Sequence, residues 1–259
     1  MDEARQRAVL LERRRADLMS LAADTPAARP FASALLREDV AVIAEVKRAS
    51  PSKGPINPGV SAVALAGAFA DGGAACLSVL TEPEHFKGGV QDLVDIRRRV
   101  ELPLLKKDFH VDSIQVLEAR AIGASALLLI ARALEPSRLE DLAGEAHLLG
   151  LEVLVEVRDE DELARAVALA VAAAPMIGVN NRNLETLVVN HTTAERILPH
   201  IPADRIAIHE SGIAERSQVE LAARHGADAV LVGSSISSSP EPAAAVRTLT
   251  GVTRRGRAG

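Results

Sequence analysis

The sequence of 259 residues contains no tryptophan, no tyrosine and only four phenylalanines. Aromatic side chains supply the stacking surfaces of single-stranded nucleic-acid sites, so their scarcity argues against that kind of partner. Acidic residues (35) outnumber basic ones (30), and the net charge of −5 argues against a general binder of polyanions. We therefore expect no nucleic-acid partner.

Cysteine is almost absent as well. The single cysteine, Cys76, permits neither an internal disulfide nor a cysteine-based zinc site, and its apolar surroundings favour a buried thiol. The seven histidines show no metal-ligand spacing, so we expect no metal. The charged N-terminus leads into no long apolar stretch, which argues against secretion and against a membrane partner. These absences predict a cytoplasmic protein.

The sequence does contain a regular alternation of short apolar runs and helix-length segments rich in Ala, Leu, Glu and Arg. Strict alternation of this kind implies a parallel sheet, and eight units favour closure over an open sheet. No Gly-x-Gly-x-x-Gly turn follows the first run, which weakens a dinucleotide-binding sheet. We predict an α/β protein, a (β/α)8 TIM barrel, with strands at 42–46, 76–80, 102–105, 126–130, 152–157, 176–179, 205–208 and 229–232.

The pattern also divides the chain into three ranges. Residues 1–40 precede the first strand and predict an N-terminal helical extension packed on the barrel, interrupted near Pro26 and Pro30. Residues 41–250 form the predicted barrel. Residues 251–259 are rich in Arg and Gly and predict a flexible basic tail.

Ionisable and amide side chains follow the apolar runs of five predicted strands. Glu45 and Lys47 stand two residues apart and so share one face of the first strand. The same alternation puts Lys107 on the face opposite to Lys106, and a fifth-strand carboxylate, Glu156, follows its own apolar run. Barrel active sites lie where the strands finish, so we expect these groups to meet there. A salt-bridge layer closing the barrel is the alternative interpretation.

Such a set suits acid–base chemistry. Lysines that are close together and partly desolvated have lowered pKa values, whereas a nearby carboxylate opposes that fall. A lysine tuned in this way can donate a proton near neutral pH.

The last two predicted strands end in Ser211-Gly212 and in Gly233-Ser234. Phosphate sites in barrels are frequently built at these two positions from backbone N–H groups. Ser50, in the first loop, is placed to close over the same phosphate. Ordinary turn chemistry is the alternative explanation for both Gly-Ser pairs.

Taken together, these motifs resemble the indole-3-glycerol-phosphate synthase family. Glu-x-Lys-x-x-Ser-Pro-Ser begins at Glu45, Lys-Asp-Phe begins at Lys107, and Asn-x-Arg-x-Leu-x-Thr begins at Asn180. The matching segments run from residue 43 almost to 236 in the family's order. The resemblance implies a (β/α)8 carboxy-lyase of tryptophan biosynthesis that needs no cofactor. Its partner would be a small phosphorylated anthranilate-ribulose substrate, and the chain would be a monomer or a weak homo-oligomer.

The resemblance also implies roles for individual residues. Lys107 would be the general acid that drives ring closure, and Glu156 would serve as acid/base in the dehydration. Lys47 would be an alternative or accompanying proton donor, and Glu45 would hold the lysines in place. The other implied residues are Asn180 and Ser211 (catalytic), Ser50, Phe86, Phe109, Arg182 and Glu210 (substrate-binding), and Gly212, Gly233 and Ser234 (phosphate-binding).

Three positions depart from the family pattern. Gly89 replaces a usual serine in the second loop, His209 replaces a usual alanine, and Phe31 is the one aromatic residue of the extension. Three further interpretations stay open on the sequence: the same chemistry on a modified substrate in specialised metabolism, a related isomerase that uses an Asp or Cys acid/base pair, and a non-catalytic phosphate-binding barrel.

Overall fold

The computed structural model describes residues 2–50, 54–56, 59–183 and 185–257, without the side chains of Ser50 and Pro55. Eight parallel strands form a closed barrel, which confirms the predicted (β/α)8 class. The strands are β1 (Ala41–Val46), β2 (Cys76–Leu80), β3 (Leu104–Lys107), β4 (Ala126–Ile130), β5 (Glu152–Val157), β6 (Met176–Asn180), β7 (Ile206–Glu210) and β8 (Ala229–Val232).

Consecutive strands pair with one another, and the barrel closes where β1 pairs with β8. In this closing pair Ala41 lies opposite Ala229, and Ala44 lies opposite Val232. On its other side β1 pairs with β2, with Ile43 opposite Cys76. The first and last barrel strands are therefore neighbours.

Helices cover the outside of the barrel in the described ranges. They are α1 (Asp2–Glu12), α2 (Arg15–Asp24), α3 (Phe31–Leu35), α4 (Ala62–Asp71), α5 (Val90–Arg97), α6 (Ser113–Ala121), α7 (Pro136–Leu148), α8 (Glu160–Ala168), α9 (Thr192–Ile197), α10 (Arg216–Arg224), α11 (Ser234–Ser237) and α12 (Pro242–Leu249). None of them combines the length and the hydrophobicity that a bilayer crossing requires. The sequence pattern did not predict α11 or α12.

Two helices begin at caps that the sequence contains. The carboxylate of Asp112 accepts a hydrogen bond from the backbone N–H of Ile114, and Gln115 completes a capping box at α6. The carboxylate of Asp159 accepts one from the N–H of Glu162 at α8. These caps set where each helix leaves its strand.

Alternation along the strands separates two apolar layers. Side chains such as Ile43, Leu154 and Leu231 fill the inside of the barrel. Neighbouring positions such as Val42 and Val153 pack outward against the helices. Because both faces of every strand are buried, the polar side chains that matter for a site are confined to the strand ends.

The helix α3 closes the amino-terminal end of the barrel. Phe31 and Leu35 are fully buried there, and the sulfur of Cys76 contacts the backbone oxygen of Phe31. The carboxylate of Glu152 accepts hydrogen bonds from the backbone N–H groups of Phe31 and Ala32 at the start of α3. Phe31 therefore plugs the barrel at its amino-terminal end and supplies no lid at the other.

The other two helices of the extension lie on the barrel wall. Ala8 of α1 and Leu18 and Ala22 of α2 pack against Ile114 and Leu117 of α6 in a small buried cluster. These two helices of the extension thus cover the outer face of α6, the helix that connects β3 and β4.

The C-terminal segment is packed, contrary to the flexible tail that the sequence predicts from residue 251. The backbone N–H of Arg254 donates to Glu38, and Thr253 forms a bridge with Asp39. The guanidinium of Arg257 lies 2.7 Å from the buried carboxylate of Asp228. Because a buried carboxylate is stable only with a cationic partner, the ion pair of Arg257 with Asp228 holds residues 251–257 against the barrel.

Candidate active site

A cavity of about 250 Å³ opens at the carboxyl-terminal ends of the strands, where barrel enzymes carry their active sites. Most of the predicted site residues line it. They are Glu45, Lys47, Phe86, Lys107, Phe109, Glu156, Asn180, Arg182, Ser211, Gly212, Gly233 and Ser234. The structure therefore brings these residues together. The side chain of Ser50 lies outside the described residues, as do Ser52 and Lys53 of the same loop.

Lys107 occupies the centre of the charged part of the cavity. Its ammonium lies 3.1 Å from Glu210 Oε2 and 3.4 Å from Glu156 Oε2. Lys107 and Glu210 end β3 and β7, and Glu156 is the residue before the end of β5, so period-two alternation turns all three inward. The result is a cation held between two carboxylates at the cavity wall.

The electrostatics of Lys107 differ from the lowered pKa that the sequence suggested. Burial does oppose the charge, but the carboxylates of Glu210, Glu156 and Glu45 outweigh it and raise the pKa of Lys107 above its ordinary value. The side chain therefore keeps its proton at neutral pH. It presents a fixed positive charge with donors directed into the cavity.

Glu210, whose role in binding substrate stays a prediction, is the second carboxylate that contacts Lys107. Its side chain is buried beneath Lys107, outside the described lining of the cavity, and bonds to that ammonium. Gly178 of β6 leaves the space for this carboxylate, since a Cβ there would collide with Glu210 Oε1. Burial raises the pKa of Glu210 to about 7, against the pull of Lys107 and with the help of the Glu156 carboxylate.

A second acid–base pair comes from β1 and the residue after it. Lys47 Nζ lies 3.1 Å from Glu45 Oε1, and the same ammonium lies 5.2 Å from the centre of the Phe86 ring. The carboxylate of Glu45 fits against Gly233, where a Cβ would collide with it. Ser237 Oγ donates to the backbone oxygen of Glu45 and fixes the end of the strand. Gly233 therefore has a packing role in addition to the phosphate contact predicted from the sequence.

Asn180 and Arg182 extend the site along the wall beside β6. Asn180 Oδ1 accepts a hydrogen bond from the backbone N–H of Arg182, at 2.9 Å. The guanidinium of Arg182 donates to the backbone oxygen of Leu187, at 2.8 Å. This arrangement holds an amide and a cation at the cavity surface, in the alignment that the sequence predicted.

The two Gly-Ser pairs lie next to one another, after the neighbouring strands β7 and β8. Ser211 and Gly212 have φ values of 67° and 88°, a left-handed turn that bends the chain around the cavity. Ser235 Oγ donates to the backbone oxygen of Ile213, at 2.9 Å, and joins this turn to the loop after β8. Ser234 begins the short helix α11, and residues of both loops line the same part of the cavity.

Two cavity-lining carboxylates were not predicted as site residues. Glu82 follows β2 and Asp108 follows β3, so both carry the strand-end position that identified the others. Asp108 follows a lysine that was assigned to the cavity, and alternation assigned it to the outer face. It lies 3.5 Å from Lys106 and yet reaches the cavity edge, because β3 has already ended.

Two histidines near the rim, His110 and His209, are buried. His209 Nε2 lies 2.7 Å from Asn181 Nδ2, and Asn181 in turn accepts a hydrogen bond from the N–H of Ala194 in α9. Burial lowers the pKa of His209 to about 4, and burial together with Lys106 lowers that of His110 to about 3. Both imidazoles are neutral at pH 7. They support the strands from behind the cavity.

In the part of the chain that the structure describes, one group of three possible metal ligands occurs: Glu3, Glu82 and His85. The Glu82 carboxylate already accepts hydrogen bonds from the backbone N–H groups of His85 and Phe86. The guanidinium of Arg7 lies 3.5 Å from the same carboxylate. A metal ion would have to compete with these donors, so the group is better suited to holding a loop.

Comparisons with known proteins identify the family of the chain and its fold. The family model described as indole-3-glycerol phosphate synthase matches residues 2–249. Among solved structures, the chain resembles a 3-hexulose-6-phosphate synthase (TM-score 0.60, 16% identity, 81% of this chain and 98% of the other). It also resembles the thiamine phosphate pyrophosphorylase of Pyrococcus furiosus (0.58, 13%, 81% and 93%) and a mandelate oxidase variant (0.60, 20%, 80% and 70%). At these identities the structural likeness shows the barrel fold alone.

Proposed function

Because the chain belongs to the indole-3-glycerol phosphate synthase family, we propose that it converts 1-(2-carboxyphenylamino)-1-deoxyribulose 5-phosphate to indole-3-glycerol phosphate. A bond forms between the ketone carbon and the ring carbon that bears the carboxylate. The bond to the carboxylate then breaks with release of carbon dioxide, and loss of water completes the indole ring. This reaction would make the chain a carboxy-lyase of tryptophan biosynthesis.

One observation carries the proposal: the Lys107 ammonium reaches the cavity while Glu156 and Glu210 hold it from the sides. Ring closure develops negative charge on the former ketone oxygen, and a fixed ammonium stabilises that charge without reorganising. Lys107 can then donate its proton to this oxygen as general acid. The raised pKa of Lys107 means that the side chain is protonated when substrate arrives.

The second acid–base pair suits the later steps. Glu156 lines the cavity beside Lys107, so it is placed to move protons during loss of the hydroxyl group. Lys47 is a second proton donor, oriented by Glu45 at 3.1 Å and by the Phe86 ring. Two donors and two acceptors in one cavity match a reaction that breaks a C–C and a C–O bond in sequence.

The rest of the cavity divides into an apolar and a polar part. Leu80, Leu128 and Ile130 line it together with Phe109, a surface that suits the aromatic ring. Arg182 and Asn180 supply donors for the carboxylate of the ring. The corner formed by Gly212, Gly233 and Ser234 supplies backbone N–H groups for the phosphate, with Ser50 proposed to complete it. None of these steps calls for a metal or a cofactor.

The positions of Gly89 and His209, which differ from the family pattern, favour the family's own substrate over a modified one. His209 is buried behind the strand, and Gly89 precedes α5 with open space around it. Both lie outside the described lining of the cavity. A change of substrate is expected to alter lining residues, so these departures do not carry that alternative.

The isomerase interpretation has less support. Cys76 lies at the start of β2, at the barrel end opposite the cavity, and burial raises its thiol pKa. It therefore offers no acid/base pair at the strand ends. A cytoplasmic location and a monomer or weak homo-oligomer stay predictions.

The assay uses the absence of tryptophan from the chain. Purified protein is mixed with the anthranilate-ribulose phosphate, and indole fluorescence and released carbon dioxide are measured together. We expect both signals to rise in equal amounts. If phosphate-containing ligands bind while neither signal changes, the chain is a non-catalytic barrel and the proposal is wrong.

A further inference from the structure

The helix α1 reaches the rim of the cavity through one side chain. Arg7 Nη2 lies 2.5 Å from Asp108 Oδ1, and Arg7 Nη1 lies 3.5 Å from Glu82 Oε1. The side chains of Glu82 and Asp108 are 1% and 5% exposed, whereas that of Arg7 is 24% exposed. Arg7 is outside the described lining of the cavity and contacts two carboxylates that belong to it.

Each of these carboxylates accepts a hydrogen bond from the backbone N–H of a phenylalanine in the cavity wall. Glu82 Oε2 accepts a hydrogen bond from the N–H of Phe86, at 3.1 Å. Asp108 Oδ1 accepts one from the N–H of Phe109, at 2.8 Å. Phe86 and Phe109 are the two phenylalanines that line the cavity. The guanidinium of Arg7 therefore joins the two anchors from which both rings are positioned.

The chemistry of the bridge makes it specific to arginine. Two buried carboxylates that approach one another repel, and a planar guanidinium can donate to both at once. Asp108 has additional partners, Thr81 Oγ1 at 2.8 Å and Lys106 at 3.5 Å. For Glu82 the cation found in the described structure is Arg7. Loss of Arg7 should therefore affect the Phe86 side most strongly.

We propose that Arg7 is a positioning residue, which fixes the separation of Phe86 and Phe109 through Glu82 and Asp108 and so sets the ring-binding part of the cavity. The identity of the bound ring rests on the proposed function, whereas the effect of Arg7 on the separation of the two phenylalanines is independent of that function. The bridge makes an outer helix, a full barrel layer away from the strands, part of how the substrate is held.

A competing explanation is that Arg7 only attaches α1 to the barrel. Glu3 of the same helix also contacts the loop that follows β2, since Glu3 Oε2 lies 3.1 Å from His85 Nε2. Both of those side chains are about half exposed, so the pair is expected to be weak. It offers a control that breaks a contact of α1 with the loop without touching the Phe109 anchor.

Single tryptophans report on each wall independently of activity, because the chain has none of its own. Phe86→Trp and Phe109→Trp proteins are each combined with Arg7→Ala, Glu3→Gln and Arg5→Ala. Arg5 is an exposed residue of α1 paired with Asp2 and serves as the matched control. Acrylamide quenching and the emission maximum are measured for every protein.

We expect Arg7→Ala to increase quenching and to shift emission to the red in both reporters, more at position 86 than at 109. Glu3→Gln and Arg5→Ala should leave the reporter at 109 unchanged. In the chain without reporters, Arg7→Ala should raise KM for the anthranilate-ribulose phosphate about tenfold while kcat changes less than about threefold, because ring placement is affected more than the acid and base.

Arg7→Lys keeps the positive charge but loses the planar guanidinium that donates to both carboxylates. Its reporter fluorescence and its KM should therefore lie between those of wild type and Arg7→Ala. It also serves if Arg7→Ala does not fold. Folded Arg7 variants with both reporters unchanged overturn the inference, as does an equal response to Glu3→Gln at position 109. A wild-type chain that turns over no substrate refutes the proposed function. The fluorescence result then decides the inference about Arg7 by itself.

Discussion

Lys106 and Lys107 are adjacent residues of the same type, yet they belong to two different regions of the molecule. Lys106 points outward beneath α6, where its ammonium lies 3.1 Å from Glu118, 3.5 Å from Asp108 and 3.3 Å from His110 Nε2. Lys107 points inward, between carboxylates at the cavity. Its side chain is 15% exposed against 1% for Lys106.

The two ammonium groups differ in whether they can still contact a ligand. Lys106 is surrounded by protein partners on every side, so its charge serves to hold α6 against β3. Lys107 lies between two carboxylates and also reaches the open cavity. One step along a strand thus separates a structural ion pair from a group that can act on a ligand.

The largest expected effect comes from Lys107→Met. It removes the cation and proton donor of ring closure, so kcat should fall by about 10²–10⁴-fold. Initial rates of indole formation measure this loss, and circular dichroism at equal concentration serves as the folding control. A kcat near the wild-type value would assign the proton to Lys47.

Lys106→Met has the same change in volume and should act on stability. It leaves the buried carboxylate of Glu118 without its cation, and Asp108 with Arg7 alone, at a cost of about 3–5 kcal/mol in unfolding free energy. Urea unfolding followed by circular dichroism measures this loss. Lys107→Met should lose less stability than this, because Glu210, with its raised pKa, can bind a proton and Glu156 faces the open cavity. The reverse order would contradict the division into two regions.

Gly178→Ala tests whether Glu210 must sit beneath Lys107. The new methyl group displaces the Glu210 carboxylate, so we expect kcat to fall about tenfold through misplacement of the ammonium. Gly144→Ala, in α7 with open space around it, is the matched control and should keep full activity. Equal rates for the two variants would show that Glu210 has no part in holding Lys107.

The smallest effect concerns pH. Folding raises the pKa of Glu210 from the ordinary 4.5 to about 7, so between these values the native state binds more protons than the unfolded state. Its contribution to stability is present at low pH and is lost as pH rises to about 7. Relative to Glu210→Gln, wild type should lose more than about 1 kcal/mol across this window. Urea unfolding at several pH values measures the difference, and two parallel curves would argue against the shift.

Alternation along the strands made much of this predictable. It placed Lys106 and Lys107 on opposite faces, even though the strand was predicted at 102–105 and lies at Leu104–Lys107. Proline at position 103 has no N–H for the sheet, so the ladder starts later than the apolar run. The faces do not depend on where the strand begins, and the prediction of an inward Lys107 was therefore insensitive to this error.

Other parts of the site depend on contacts that no local pattern contains. Arg7 and Asp108 are 101 positions apart, and the period of α1 does not reveal that it reaches the rim. Glu210 lies beneath Lys107 because Gly178 of the neighbouring strand has no side chain. The packed tail depends likewise on Asp228. Each case requires knowing which side chain of a distant segment fills or leaves a particular space.

The pairing of β1 with β8 has a consequence for how the molecule is made. Ser237 donates to the backbone oxygen of Glu45 across 192 positions of the chain. The ribosome therefore synthesises Glu45 and Lys47 long before β8, and until β8 pairs with β1 the sheet has two open edges. Such an edge invites pairing with other strands. Newly made chains should need protection until β8 emerges and seals the ring.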